Sequence, residues 1–212
     1  FCGISELKGV HHSMREAYDH YLPKVLYPFN SINFHNLAPI CHECNSYYKL
    51  SKDPVHNAVG RRKAFYPYAA DERAIEITID LDKPDIDRMA SNDIRLTFGP
   101  ISILEEIETW REVYGIDERY RGKLLDGDGK AWLIEVLDEW RWKDESTDSE
   151  GKKPDAYLRD LARHTNRSPY ASCNFLKKAF LEGCRQAGLF DKPIEYYQQL
   201  INSSNRVFSN SE

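Results

Sequence analysis

Near the N-terminus the sequence sets an acid beside an imidazole, a pair of residues suited to activating water. Asp19 and His20 are adjacent in YDHYLP (18–23), and Asn45 follows a cysteine pair further on. A neutral imidazole can take a proton from water. Carboxylate and amide oxygens are hard ligands that suit Mg²⁺ or Mn²⁺. In a strand Asp19 and His20 point to opposite faces, so a common site requires a bend, which Pro23 favours.

The cysteine pair Cys41 and Cys44 has the spacing of zinc ligands. Two intervening residues let both thiolates reach one Zn²⁺ from a tight turn, although an isolated pair can also be incidental. Cys2 is the natural third ligand. The sequence does not begin with Met, so we expect residues before it. The fourth ligand stays open between a cysteine three residues before Cys2, outside the given sequence, and His11 or His12.

Charge is unevenly distributed along the chain. The 212 residues carry a formal net charge of −5, but residues 1–70 hold 8 Lys/Arg, 5 Asp/Glu and six of the seven His. We therefore expect any nucleic-acid contact to centre on this basic head. No run approaches the ~20 apolar residues of a membrane span. Thiolate metal binding without a secretory signal predicts a reducing, cytoplasmic compartment.

The pattern predicts an α+β protein of two domains, 1–67 and 68–212. The first domain is short and irregular, so we expect a metal rather than a large core to hold it. In the second, strands are predicted at 74–81 and 94–98, followed by a mainly helical region. Polar residues 143–154 predict a solvated loop, and 202–212 a frayed tail. Helical patterns lie at 101–115, 116–129, 130–142, 155–165, 173–188 and 193–201.

The stretch YDHYLPKVLYPFNSINFHNLAPICHECNSYYKLSKDP (18–54) resembles the signature of the HNH endonuclease family. The resemblance covers about residues 1–60 and implies a ββα-metal unit with one catalytic divalent cation, Mg²⁺ or Mn²⁺. It implies that His20 is the general base, that Asp19 and Asn45 ligate the cation, and that Asn36 holds the loop that orients His20.

The same resemblance assigns Cys2, Cys41 and Cys44 to a structural Zn²⁺. The chain departs from the family in having one cysteine where the first pair is usual, which leaves the fourth zinc ligand in doubt. The implied activity is hydrolysis of nucleic-acid phosphodiester bonds, with DNA favoured and RNA possible. Basic residues would hold the nucleic-acid backbone, or form a merely solvated face; they are Lys49, Lys52, Arg61, Arg62 and Lys63.

A narrower likeness extends into the helical region. YDHYLPKVLYPF and EEIETWREVYGIDERY (105–120) are similar to the HNH component of Septu-type anti-phage systems, including those attached to some retrons. This likeness implies an SMC/ABC-like ATPase partner that restrains the nuclease. Tryptophans would either form its docking surface or pack in the core; they are Trp110, Trp132, Trp140 and Trp142.

A second function class explains part of the pattern. A non-catalytic zinc-finger module that binds nucleic acid or a protein needs the cysteines and the basic residues. It has no use for Asp19, His20 and Asn45 together, which is why we favour the nuclease.

Overall fold

The computed structural model describes residues 1–70, 74–83, 85–145, 155–169 and 171–209. The chain forms two compact units, Phe1–Glu76 with Phe98–Arg119 and Ile77–Thr97 with Tyr120–Glu212. Each unit therefore combines two segments that are distant in sequence. That residues 1–67 form a separate domain stays a prediction.

The first unit contains a short antiparallel hairpin followed by a helical turn. Strands β1 (Tyr18–His20) and β2 (Leu37–Pro39) pair with Asp19 opposite Ala38 and His20 opposite Leu37. A π-helical turn, Cys44–Lys49, follows β2. The order strand, strand, helix places the acid, the imidazole and the cysteine pair on successive elements.

Helix α1 (Leu104–Tyr114) completes the first unit. Its buried side chains Ile107, Trp110 and Tyr114 recur at the spacing of one helical face. The predicted helix over 101–115 is confirmed, with a 3₁₀ turn at Ile101–Ile103 as its first part. Gly115 ends the helix in the left-handed conformation, with φ of 60°.

A second two-stranded antiparallel sheet pairs β3 (Glu76–Leu81) with β4 (Ile94–Gly99). Along β4, Ile94, Leu96 and Phe98 are buried while Arg95 and Thr97 are exposed. This alternation is the period of a strand with one buried face, and it confirms the strands predicted from sequence.

Helices make up most of the second unit. Its helical part begins within α2 (Ile116–Lys123). The helices that follow are α3 (Gly129–Glu145), α4 (Asp155–Arg167), α5 (Asn174–Gln186) and α6 (Pro193–Ser209). Helix α3 packs on α5 and α6, and α4 packs on α5. Apolar side chains on the packed faces are buried, among them Leu133, Leu137, Leu176, Phe180 and Cys184. The structure is thus a mixed α/β protein, as predicted.

The ends of three helices differ from the sequence prediction. Helix α2, predicted over 116–129, ends at Lys123 and is followed by a π-helical turn, Leu124–Asp128. Helix α6 continues to Ser209, through most of the segment expected to fray. The ammonium of Lys130 on α3 donates to Ser203 Oγ at 2.8 Å, so a tertiary contact supports the extra turns. Helix α3 runs to Glu145, into the predicted polar loop, whose residues 146–154 lie outside the described residues.

Tryptophan exposure bears on the predicted docking surface. Trp110, Trp132 and Trp140 are buried, whereas Trp142 is exposed. Three of the four therefore pack in the core, the alternative that the sequence had left open. Across the described part of the chain, no helix has both the length and the apolarity needed to cross a membrane.

Candidate metal centre and active site

Three cysteine sulfurs converge in the first unit. Cys2, Cys41 and Cys44 are buried, and their Sγ atoms lie within 4.8 Å of one another. Cys2 Sγ and Cys41 Sγ are 3.8 Å apart. Zn–S bonds of about 2.3 Å at a tetrahedral ion also space two sulfurs by about 3.8 Å. The group could therefore hold a metal such as zinc.

Helix α1 brings Cys2 to the cysteine pair. Trp110 Nε1 donates to the Phe1 carbonyl at 2.7 Å, and the Phe1 ring packs on Tyr114 with centroids 5.3 Å apart. The pair itself is held where β2 leads into the helical turn, since Asn45 N donates to Cys41 O at 3.1 Å. Contacts far apart in sequence thus build the three-sulfur group.

Hydrogen bonding inside the group favours a shared thiolate. Hydrogen bonds from Cys41 and Cys44 lower the pKa of Cys2 well below its ordinary value. The pKa of Cys44 is raised, chiefly because its thiol donates to Cys2. Together these directions describe one sulfur that carries the charge while its neighbours donate to it. Thiolates are the form of cysteine that binds metal.

An arginine lies directly against the sulfurs. Arg119 Nη1 donates to Cys44 Sγ at 2.9 Å, and its Nη2 pairs with Glu43 Oε2 at 2.9 Å. The guanidinium also stacks over the Tyr48 ring, 4.8 Å from its centroid. Burial opposes its charge, but the sulfurs of Cys44 and Cys2 raise the pKa of Arg119. A fixed cation beside the group offsets negative charge on its sulfurs.

The predicted histidine alternatives for the fourth ligand do not join the group. His11 and His12 are exposed, and among the described residues no further His, Cys, Asp or Glu completes the three sulfurs. A cysteine before Cys2 would lie outside the given sequence.

The buried carboxylate of Asp19 pairs with a buried ammonium. Lys49 Nζ lies 2.9 Å from Asp19 Oδ2 and donates to the His20 carbonyl at 2.8 Å. The Lys49 residue is 0% exposed. Burial raises the pKa of Asp19, and the ion pair with Lys49 acts in the opposite direction. The Lys49 ammonium therefore balances the charge of the Asp19 carboxylate.

The imidazole of His20 is oriented by the backbone of the hairpin loop. Its Nε2 lies 3.1 Å from the Ser31 carbonyl oxygen. Because a carbonyl oxygen only accepts, Nε2 must carry the proton, which leaves Nδ1 of the neutral ring as the acceptor.

Asn36 closes the same loop with its carboxamide. Oδ1 accepts from Leu22 N at 2.7 Å, and Nδ2 donates to Leu22 O at 3.0 Å and to Asn30 O at 3.2 Å. The side chain is buried. It fixes both ends of the loop that carries the His20 partner Ser31.

Asn45 is half-buried at the start of the helical turn. Among the described residues, no hydrogen bond joins its carboxamide to Asp19 or His20. Asp19 and His20 are thus neighbours on β1 with different partners, the Lys49 ammonium and the Ser31 carbonyl, and no bend separates them within the strand. That Asp19, His20 and Asn45 share one site stays a prediction.

The five predicted backbone-binding residues divide by exposure. Lys52, Arg61 and Lys63 are exposed. Lys49 is buried against Asp19, and Arg62 pairs with Glu112 Oε2 at 2.6 Å and donates to the Asp53 carbonyl at 2.7 Å. Their cationic groups are used inside the first unit, so this structure does not offer Lys49 or Arg62 to a phosphate backbone.

The sequence predicts Lys49 as a residue that holds the nucleic-acid backbone, and does not indicate its ion pair with Asp19. Arg119 is not predicted as a site residue at all. Arg119 lies in a charged helical stretch that reads like a solvated surface, and nothing local distinguishes it. No protein-family model matches the chain, and comparisons with curated proteins and with solved structures find no match either.

Proposed function

We propose that the chain is a metal-dependent endonuclease of the HNH type, whose β1, β2 and helical turn Cys44–Lys49 form a ββα-metal unit. It hydrolyses phosphodiester bonds in nucleic acid, with DNA favoured and RNA possible. The observation that carries the proposal is a hairpin on which a buried carboxylate, Asp19, adjoins an imidazole, His20, whose ring is oriented by a loop that Asn36 closes.

In this proposal His20 is the general base. Its Nε2–H is held by the Ser31 carbonyl, so Nδ1 accepts the proton from the attacking water. The bond from the Lys49 ammonium to the His20 carbonyl keeps the strand end in place. Asn36 is a positioning residue, because it acts on His20 only through the loop.

Oxygen donors of this chain fit a hard divalent cation. Asp19 supplies a carboxylate and Asn45 a carboxamide, the donor types that Mg²⁺ and Mn²⁺ prefer. When bound, the cation would stabilise negative charge on the phosphate during cleavage.

Zinc at Cys2, Cys41 and Cys44 serves the proposed nuclease as scaffold. The pair sits immediately before Asn45, so metal binding fixes the start of the helical turn. The three sulfurs and the adjacent Arg119 have no role in proton transfer, which belongs to His20.

Substitution of His20 tests the proposal. His20→Ala should abolish metal-dependent cleavage of plasmid DNA or total RNA, while zinc content by elemental analysis stays at the wild-type level. His12→Ala removes an exposed imidazole and should leave cleavage intact. If His20→Ala cleaved as fast as wild type, His20 would not be the base. If wild type cleaved nothing but bound nucleic acid, the zinc-finger module would be the better description.

The cellular role and partner belong to the same proposal. The likeness of 18–39 and 105–120 to Septu-type proteins supports a cytoplasmic anti-phage effector that an SMC/ABC-like ATPase restrains. Cleavage assays with and without the co-purifying partner test this, since the partner should suppress cleavage until it hydrolyses ATP.

A further inference from the structure

The loop between β1 and β2 exposes large apolar side chains beside the candidate base. Phe29, Ile32 and Phe34 are 95%, 86% and 83% exposed. They flank Ser31, whose carbonyl holds the His20 ring. Several large apolar side chains exposed on one loop commonly mark a binding site.

Hydrogen bonds fix the backbone that presents these side chains. Phe29 lies in a 3₁₀ turn, Pro28–Asn30, and Phe34 begins another, Phe34–Asn36. The Asn33 side chain accepts from His35 N at 3.0 Å, and Tyr66 Oη donates to His35 O at 2.8 Å. Because hydrogen bonds fix the loop backbone, Phe29 and Phe34 stay exposed to water. Binding through them therefore costs little conformational entropy.

The charge of this segment is compatible with a polyanionic occupant. Between Asp19 and Glu43 the chain has no Asp or Glu that would repel phosphates, and it has one Lys. The lysine, Lys24, is exposed. Nucleic-acid strands combine phosphates with flat base faces, which stack on aromatic rings.

We propose that Phe29 and Phe34 stack on unpaired bases, so that the substrate is single-stranded nucleic acid or an unpaired segment of a folded one. This deepens the proposed nuclease function and rests on it. In a regular duplex the base faces are covered by neighbouring base pairs, so no exposed face remains on which these rings could stack. Unpaired bases held at the loop bring the adjoining phosphates towards His20.

Binding assays on the full chain test this separately from cleavage. In a His20→Ala background, fluorescence anisotropy measures the affinity for an end-labelled strand of about 20 nucleotides, as DNA, as RNA and as the matching duplex. Phe29→Ala and Phe34→Ala should each weaken single-strand binding by about 5- to 150-fold, the loss expected for one base stack. Duplex affinity should not change.

Two substitutions separate stacking from apolar docking. Phe34→Trp keeps a stacking face and should retain single-strand affinity, whereas Phe34→Leu keeps an apolar side chain without that face and should bind as weakly as Phe34→Ala. Trp142→Ala, an exposed aromatic of the second unit, should have no effect. A 2-aminopurine probe should be quenched by wild type and less by Phe34→Ala.

Several results would overturn the proposal. Full affinity of Phe34→Leu would indicate a surface that docks a protein rather than a base. Equal losses for strand and duplex, or no loss in either alanine variant, would also reject stacking. Failure of the proposed nuclease activity would look different. If the chain with His20 intact cleaved nothing, while Phe29→Ala and Phe34→Ala still lost single-strand binding, the nuclease would be rejected and base stacking on the loop would remain supported.

Discussion

Lys49 shows how much a single side chain contributes to the candidate site. Its ammonium is fully buried and has two oxygen partners, Asp19 Oδ2 and the His20 carbonyl. Removing either member of a buried ion pair leaves the other charge without compensation. The pair thus ties the helical turn to β1 and sets where the Asp19 carboxylate lies.

Lys49→Met should lower the free energy of unfolding by about 3–5 kcal/mol, because it leaves Asp19 buried without its counter-ion. Urea denaturation followed by circular dichroism measures the loss. Lys63→Met is the matched control, since Lys63 pairs with Glu105 at 3.5 Å where both side chains are at least half exposed, and it should cost no more than about 1 kcal/mol. Equal losses in the two variants would contradict a structural role for the buried pair.

Among single residues, the sequence predicts the role of those whose spacing follows from local geometry. Cys41 and Cys44 could share one metal, because two intervening residues suit a tight turn, and Cys2 completes the three-sulfur group found in the structure. The partners Lys49 and Arg119 depend on tertiary packing. A lysine or arginine looks solvated in sequence, so its burial becomes visible only when the fold brings an anion to it.

Among the elements, the join between α1 and the helical turn Cys44–Lys49 is close-packed. Gly115 ends α1 at φ of 60°, and a Cβ built there would come within 2.2 Å of the Tyr48 ring. That ring in turn stacks under the Arg119 guanidinium. Gly115 therefore permits both the helix end and the approach of the element that carries the cysteines.

Gly115→Ala should destabilise the protein by clearly more than the roughly 1–2 kcal/mol that a left-handed conformation costs an ordinary residue, because the new methyl group also clashes with Tyr48. Thermal and urea unfolding measure this. Gly60→Ala places a methyl group in open space at φ of 142°, so its loss comes from the backbone alone, although at a different φ from that of Gly115. Gly9→Ala, which meets nothing within 4 Å and has no positive φ, should be neutral. A loss at Gly115 of no more than about 1–2 kcal/mol would show that the clash with Tyr48 contributes nothing.

Elements with strong periodicity were predictable, and short ones were not. The buried alternation of β4 and the apolar face of α1 span several residues, so the period identifies them. Strands β1 and β2 have three residues each, too few to show a period; only the ordered residues of the HNH-like signature pointed to them. The end of α6 depends on Lys130 reaching Ser203, a contact that no local pattern encodes.

For the whole molecule, the two compact units differ in what stabilises them. Cys2, Cys41 and Cys44, which could hold a metal, lie in the first unit, whereas the packed helices α3 and α5 lie in the second. The second unit buries aliphatic and aromatic side chains along whole helices, such as Leu133, Leu137, Leu176 and Phe180. The first unit has short elements, so metal binding should supply a large share of its folding free energy.

Loss of the metal should therefore unfold the first unit before the second. In Cys41→Ala, elemental analysis should find no bound zinc, and hydrogen exchange followed by mass spectrometry should show lost protection in peptides covering 18–49. Peptides from α3 and α5 should stay protected, because their helices bury an apolar core without the metal. Cys184→Ala removes a buried thiol of the second unit and should keep the zinc. Simultaneous loss of protection in both units would mean that they fold as one cooperative body, and full protection in zinc-free Cys41→Ala would remove the metal from any structural role.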